Sequence, residues 1–373
     1  MKARTGLVIS QLGYGGAERQ VSLLARGLAE AGWPVTVFCL SELLEPFGAE
    51  LREAGIPLRT LRRRGHFDLG RVLELAGLLR EEKIELIHSH LETADIYSYL
   101  ALGRASRPGF VPTVLSMPVR ENPLRYFLVR RALRAGDRIH ANSTVVARAY
   151  AKHYRVDESK FSTVYNGVLP LPARTSSSRR ESRLSLNIPE DSLVVGTISK
   201  DAPDKNLPAF FRLIAALLPH VQGLKAVIAG SGLSEAYASR SEEARNVRQA
   251  TLFLGEQENI QTVLAAMDLF VLTSIREGFP NAVLEAMATG LPVVAYDTGG
   301  VSELLADGRS GVRLPCGAEE ELFRVVSGLL ADPESRSAMG EAARRRVFEQ
   351  FSLEKMIKST IELYEEVLTM RGK

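Results

Sequence analysis

An α/β protein built from two doubly wound parallel sheets is what this sequence predicts, and three observations carry it. Short apolar runs alternate with segments of helical spacing along nearly the whole chain. The runs are continuously apolar, as strands buried on both faces require. The pattern pauses at a Pro/Ser/Arg-rich stretch after Leu169 and then starts again. A length of 373 residues also suits two domains better than one.

In the first half, strands are expected at 6–10, 35–40, 86–88, 113–116 and 139–142, with helices at 17–31 and 69–82. The first apolar run follows Met1-Lys2-Ala3-Arg4 but is too short for a secretory leader. Gln11 and a Gly-rich turn end it at once, so it is read as a strand. In the second half, strands are expected at 193–196, 226–230, 251–255, 268–274 and 293–297. The expected division is a first domain over 1–169, a linker over 170–190, a second domain over 191–351 and an amphipathic C-terminal helix over 352–373. A cleft is expected between the two domains. No segment is long enough to span a bilayer.

Cys39 and Cys316 are far apart and in no metal-like spacing, which fits a reducing, cytoplasmic setting. His88-Ser89-His90 ends a strand, but without further ligands nearby it reads as core and cleft lining rather than a metal pair. Net charge is only +3, yet arginines cluster. Arg59, Arg62, Arg63 and Arg64 stand with His66. Arg120, Arg125, Arg130, Arg131, Arg134 and Arg138 alternate with Tyr126, Phe127, Leu128, Val129 and Leu133. The second set has two readings of equal weight. One is a basic amphipathic segment lying on an anionic membrane surface; the other is a surface helix with Phe127 and Leu128 packed inward. No recognition motif accompanies the arginines, which argues against a nucleic-acid partner.

The most informative segment runs from Asp268 to Gly300. It reads as strand, acidic loop, helix, strand and Gly-rich loop. Glu277 falls in the loop at a strand's carboxyl end, where open α/β sheets bind ligands. Pro280 falls where a helix begins. Glu285 falls more than a turn into that helix. A sugar and a ribose each present paired hydroxyls, and a carboxylate accepts two hydrogen bonds from such a pair. A diphosphate suits backbone N–H groups at helix starts and Gly-rich turns, which Gly278, Gly299 and Gly300 supply. Two further loops follow first strands. Gly15 and Gly16 open a helix after the first. Lys200 and Lys205-Asn206 follow the strand that begins the second half, where two cations can neutralise a diphosphate as its charge grows.

The segment 268–305 closely resembles the donor-binding region of retaining glycosyltransferases of family 4, and the resemblance extends over nearly the whole chain. It is carried by Glu277-Gly278-Phe279-Pro280-Asn281 with Glu285, by Gly15-Gly16, by Lys205-Asn206, and by Ile139-His-Ala-Asn142-Ser143 and Val164-Tyr-Asn166-Gly167. It implies a GT-B fold of two Rossmann-like domains, with the C-terminal helix crossing back to the first. It implies that Glu277 binds donor-sugar hydroxyls and Glu285 the ribose. Gly278, Phe279, Pro280 and Asn281 would line the sugar and diphosphate, Gly15 and Gly16 would approach the phosphate, and Lys205 with Lys200 would act in catalysis. No metal or other cofactor is implied, because the nucleotide sugar is a substrate. Front-face transfer is implied, with the leaving phosphate accepting the acceptor's proton.

The sequence departs from the family at four points, one being Leu169, which follows Val168 where Asp is common. Lys200 stands where Arg is usual and loses the planar fork. Asp201 replaces a common apolar residue. Met117-Pro118-Val119-Arg120 stands where the family commonly has a sugar-facing His. The resulting expectation is a retaining hexosyltransferase in polysaccharide or envelope glycan assembly. UDP is favoured as the base because it is widespread in the family, and the basic segments suit a lipid-linked acceptor. The alternatives are a sugar-nucleotide epimerase of the same fold and a non-catalytic nucleotide-sugar-binding partner.

Overall fold

The computed structural model describes residues 2–62, 68–103, 108–239 and 241–372. They form two compact units: Met1–Gly167 together with Leu353–Lys373, and Val168–Ser352.

The first unit holds seven parallel strands: β1 Thr5–Ile9, β2 Val35–Cys39, β3 Leu58–Thr60, β4 Leu86–His90, β5 Gly109–Val114, β6 Ile139–Ala141 and β7 Phe161–Thr163. Their order is β3-β2-β1-β4-β5-β6-β7, so the winding reverses between β1 and β4. Every residue of β1, β2, β4 and β5 is buried. This is why those segments are mostly apolar, with His88-Ser89-His90 of β4 the main polar exception: helices cover both faces. Val8, Phe38, Ile87 and Phe110 anchor one packed cluster, and Val114, Val129, Leu133, Ile139 and Tyr154 another. Side-chain caps set where helices begin. Asn122 accepts from the Arg125 N–H ahead of Pro123–Ala135, and Ser143 accepts from the Val146 N–H ahead of Thr144–Tyr154.

The second unit holds six parallel strands: β8 Val194–Ile198, β9 Lys225–Ala229, β10 Thr251–Phe253, β11 Leu269–Leu272, β12 Val293–Tyr296 and β13 Val312–Leu314. Their order is β10-β9-β8-β11-β12-β13, reversing between β8 and β11. Both sheets are therefore doubly wound, as expected.

Three strands escaped the sequence reading. β3, β7 and β13 are three residues each, lie at sheet edges and are only partly buried, so they carry no apolar run. β5 starts earlier than the expected 113, with Pro112 inside it. The Asp137 N–H bonds the Phe110 carbonyl, so Phe110 and, two residues on, Pro112 turn their backbone towards β6. Pairing with β6 starts only at Thr113, so the missing N–H of Pro112 interrupts no ladder bond.

The expected linker over 170–190 needs correction: these residues belong to the second unit. Thr175 and Ser178 form a capping box for the helix Ser176–Ser185. Its arginines are clamps. Arg183 is fully buried and bonds Asp268 at 2.6 Å, and it also donates to the carbonyls of Ala266 and Ser192. Arg174 and Arg179 reach the other oxygen of Asp268 at 3.0 and 3.2 Å. The Val194 N–H donates to Asp268 at 2.9 Å. Burial pushes the Asp268 carboxyl up, but the three guanidinium groups and this N–H outweigh it and hold its pKa below the ordinary value.

The C-terminal helix Leu353–Met370 packs on the first unit. Trp33 meets Tyr364 edge-on at 5.5 Å. The Tyr364 hydroxyl lies 2.7 Å from His88 Nδ1, His88 Nε2 lies 3.0 Å from His140 Nδ1, and His140 Nε2 lies 2.9 Å from the Val164 carbonyl. A carbonyl can only accept, so with both rings neutral the polarity of the whole chain follows. His140 donates to Val164, His88 to His140, and Tyr364 to His88. Burial depresses both rings, His140 to about 4, which keeps them neutral at physiological pH. Gly167 is required by close approach, because a Cβ there would meet the Leu353 backbone at 2.8 Å.

Asp268→Ala leaves Arg183 buried without its counter-ion. The expected cost is about 3–5 kcal/mol, read by urea unfolding followed with a probe in the second unit. A loss below about 1 kcal/mol would show that the clamp is dispensable.

Candidate functional site

In the second unit, the sequence-predicted residues gather at the carboxyl edge of the sheet, at the reversal between β8 and β11. After β8 the chain runs through Ser199 and Lys200 to a short 3-10 turn, Pro203–Lys205. Asn206 adopts a left-handed conformation (φ 48°) and turns the chain into the helix Leu207–Leu217. After β11, Thr273 donates to the carbonyls of Lys205 and Asn206 at 3.3 and 3.1 Å. The Ile275 N–H donates to the Asp204 carbonyl at 2.9 Å. These bonds stitch the two loops together.

The stitching brings Lys205 Nζ to 2.7 Å from Glu277 Oε1, with both side chains mostly buried. An ion pair of this geometry holds each partner in one orientation and leaves Glu277 Oε2 and two ammonium protons for other partners. Lys200, on the same loop, is exposed. Gly278, Phe279 and Pro280 are buried, and the Phe279 ring packs edge-on against Phe351 at 5.3 Å. Asn281 starts the helix Asn281–Thr289, with Pro280 preceding it as the cap rather than as the first helical residue. The carbonyl of Pro280 accepts from the Val283 and Leu284 N–H groups, both at 3.1 Å. Glu285 lies in the second turn and is only 8% exposed, which excludes a solvated helix face. The helix Pro333–Gln350 supports this helix from behind: Arg344 donates to the Ala288 carbonyl and, at 2.5 Å, to that of Leu171.

Gly299 has a structural duty. It sits at φ 55°, and a Cβ there would run into the Glu277 carbonyl. The next residue's N–H, of Gly300, donates to the Gly278 carbonyl at 2.6 Å. The loop after β12 therefore braces the acidic loop directly. Gly230 does the same for the lysine loop: at φ 135° its Cβ would collide with the Ser199 carbonyl. Sequence reasoning missed Gly230 and Ser199 as parts of the site, although Gly230 closes an apolar run at the same sheet edge. It also missed Thr273 and Ser274. The Ser274 hydroxyl is buried without a hydrogen-bond partner among the described residues. Thr273-Ser274, polar residues at the end of an apolar strand, are the signal that could have found them.

In the first unit, Gly15 caps and Gly16 opens the helix Gly16–Glu30 after β1, again beside the sheet's reversal point. No side chain caps that helix start. The close approach here is internal: a Cβ on Gly15 would strike the Glu18 carboxylate, which also accepts from Gln11 at 3.2 Å. Asn142 donates to the Leu115 carbonyl at 2.9 Å, and Met117 packs on the cluster around Tyr154. His88 and His90 are buried core residues. Arg59 pairs with Glu82, and Arg62 lies 3.8 Å from Glu42; Arg63, Arg64 and His66 lie outside the described residues. No cluster of metal-ligating side chains occurs among the described residues.

Two family models match this chain. Glycosyl transferases group 1 covers residues 178–346 and Glycosyltransferase Family 4 covers residues 14–170. N-acetyl-alpha-D-glucosaminyl L-malate synthase of Bacillus anthracis is 27% identical over 310 residues, which is 81% of this chain and 80% of that protein. D-inositol 3-phosphate glycosyltransferase of Streptomyces avermitilis is 26% identical over 75% of this chain and 65% of its own length. Among solved structures, HepE of Anabaena in complex with UDP-glucose superposes with a TM-score of 0.85 at 21% identity, covering 97% of this chain and 99% of that one. Sucrose-phosphate synthase of Thermosynechococcus elongatus gives 0.79 at 19% identity, with 98% and 100% coverage. These superpositions establish the GT-B fold.

Gly299→Ala is expected to displace the acidic loop, since both its φ and its contact with Glu277 forbid a side chain. The check is a loss of hydrogen-exchange protection in residues 274–281 while β8 and β9 stay protected. Unchanged protection there would refute the bracing role.

Proposed function

Because this chain belongs to glycosyltransferase family 4, among the group 1 glycosyl transferases, we propose that it moves a hexose or N-acetylhexosamine from a UDP-sugar to a glycan or lipid-linked acceptor, with retention and without a metal. The observation that carries the reading is the pre-formed Lys205–Glu277 pair on the sheet edge that also holds the buried Glu285.

In this reading Glu285 accepts hydrogen bonds from the ribose hydroxyls and Glu277 from hydroxyls of the sugar. Lys205 places its charge beside the diphosphate and Lys200 adds to it. The backbone of Gly278, Phe279, Pro280 and Asn281, at a helix start, suits the sugar and phosphate. In the first unit Gly15 and Gly16 stand at a helix start, a setting that suits an anion. The bond between the anomeric carbon and the phosphate oxygen breaks, and its electron pair goes to the phosphate. The acceptor oxygen bonds the same face of that carbon. Its proton passes to the departing phosphate oxygen, so no protein base is required. Lys205 stabilises the charge that grows on the leaving group. UDP and UDP-glucose in the HepE complexes support the choice of base, and the N-acetylglucosaminyl transfer in the name of the Bacillus anthracis relative supports that sugar class.

A polysaccharide or envelope glycan acceptor at the inner face of a membrane fits the helix Pro123–Ala135. Leu124 and Phe127 are 67% and 54% exposed, so the inward packing considered for Phe127 does not occur. With exposed Arg131 and Arg134 they fall at three- and four-residue spacing on one helix stripe. Arg131 lies over the Phe127 ring at 5.8 Å. Apolar side chains flanked by cations match an anionic bilayer surface.

Two tests follow. Glu285→Ala is expected to weaken UDP binding by about 1.5–3 kcal/mol, read as a lost thermal shift, while Lys205→Ala mainly lowers turnover. UDP stabilisation unchanged in Glu285→Ala would remove the ribose assignment. Vesicles containing anionic lipid are expected to sediment the protein, and Leu124→Ser with Phe127→Ser to abolish this. Equal sedimentation of the double variant would refute the membrane surface.

A further inference from the structure

A second group of ionisable side chains lies in the first unit, apart from the residues assigned above. Glu92 starts the helix Glu92–Ala101 after β4, and Glu121 lies in the loop after β5. Tyr150 and Tyr154 reach them from the helix Thr144–Tyr154. The Tyr150 hydroxyl donates to Glu92 Oε1 at 3.0 Å, and the Tyr154 hydroxyl donates to Glu121 Oε1 at 2.9 Å. Arg125 donates to Glu92 Oε2 through Nε and Nη2, at 3.2 and 2.6 Å, and stands 3.7 Å from Glu121 Oε1.

The accounting of charges and donors is unequal. Two carboxyl groups share Arg125, the only cation paired with either among the described residues. The Glu121 side chain is 2% exposed, and its Oε2 is buried without a hydrogen-bond partner among the described residues. The Glu92 carboxyl lies within hydrogen-bonding reach. A proton on Oε2 removes both defects at once. It supplies a donor to Glu92 and leaves one negative charge for one guanidinium.

We propose that Glu121 holds a proton on Oε2 and donates it in a hydrogen bond to Glu92, that this proton latches the loop 115–122 onto the helices around it, and that its loss releases the loop. The groups facing the pair favour this. Tyr150 and Tyr154 are pushed well above their ordinary pKa by burial and by the Glu92 charge, so they stay neutral donors. Asp95, on the Glu92 helix, turns to Ser89 and the Thr113 N–H. Tyr126 stacks on Tyr154 at 5.1 Å, and His153 meets Tyr154 edge-on at 4.7 Å. Burial of Glu121 and the neighbouring Glu92 charge raise the Glu121 pKa from 4.5 to about 7, against the pull of Tyr154 and Arg125. A raised folded-state pKa gives stabilisation that is complete below about 4.5 and lost as pH rises through about 7. The latch therefore opens across neutral pH. It stands whatever the chain transfers.

The test is hydrogen exchange of the full chain between pH 6 and 8, corrected for intrinsic rates. Protection of residues 115–125 is expected to fall about tenfold between pH 6 and 8 and to level off above about pH 7, because a one-proton latch weakens about tenfold per pH unit only between its open-state and closed-state pKa values. Glu121→Gln keeps a donor towards Glu92 at every pH, so its protection at pH 8 is expected to match that of the wild type at pH 6. Glu92→Gln, which removes the repulsion from the other side, is expected to flatten the profile too. A flat wild-type profile, or a Glu121→Gln profile that falls with that of the wild type, overturns the proposal. The wild-type profile decides by itself if the variants fail to fold.

Discussion

Asp268 holds the second unit in register. It stands at the amino end of β11 and accepts the Val194 N–H at the start of β8, so one carboxylate joins the two strands between which the sheet reverses. A buried carboxylate is costly, and three arginines are brought in to offset it: Arg183 from inside, Arg174 and Arg179 from the edge. The segment that carries them is thereby drawn onto the sheet. With both strands fixed at one end, the loops at the other end leave from fixed positions. Thr273, Ile275, Gly230 and Gly299 then need only short-range contacts to complete the edge.

The Lys205–Glu277 pair is a product of that rigidity. Each partner comes from a different loop, and the loops are joined by backbone and hydroxyl bonds that leave the side chains free for chemistry. A group aligned before ligand arrives need not be reordered when charge develops, which is where electrostatic stabilisation gains most. Glu285 contributes from a different kind of support, a helix held by Arg344 and by Phe279 packing on Phe351. Loop, helix and brace thus carry separate parts of the same edge.

The first unit solves the same topological problem with neutral groups. Its last helix is tied to the sheet by a directed chain from Tyr364 through His88 and His140 to a backbone carbonyl. Burial keeps those rings uncharged, so the chain transmits orientation without needing counter-ions. Glu92 and Glu121 lack that economy: two acids share one arginine, and a proton is the missing partner.

What the sequence by itself determined is the class of fold and the sheet edge on which the candidate site residues gather. Buried parallel strands are mostly apolar, so ten of the thirteen strands among the described residues were legible, while edge strands such as β3 and β13, partly exposed, were not. The placing of Glu277 and Lys205 in loops beyond strand ends and of Glu285 in a helix was legible from the strand and helix pattern, and the roles proposed for them came from the family resemblance. Contacts between residues distant in sequence were not legible. An arginine-rich stretch reads as a linker until Asp268, some ninety positions on, is seen to bind it. A glycine's reason lies in the backbone it nearly touches, as at Gly299 and Gly167. Whether Phe127 faces inward or outward, and whether one glutamate donates a proton to another, depended on which helices pack around them. Periodicity constrains a residue's own element, and only tertiary packing decides its neighbours.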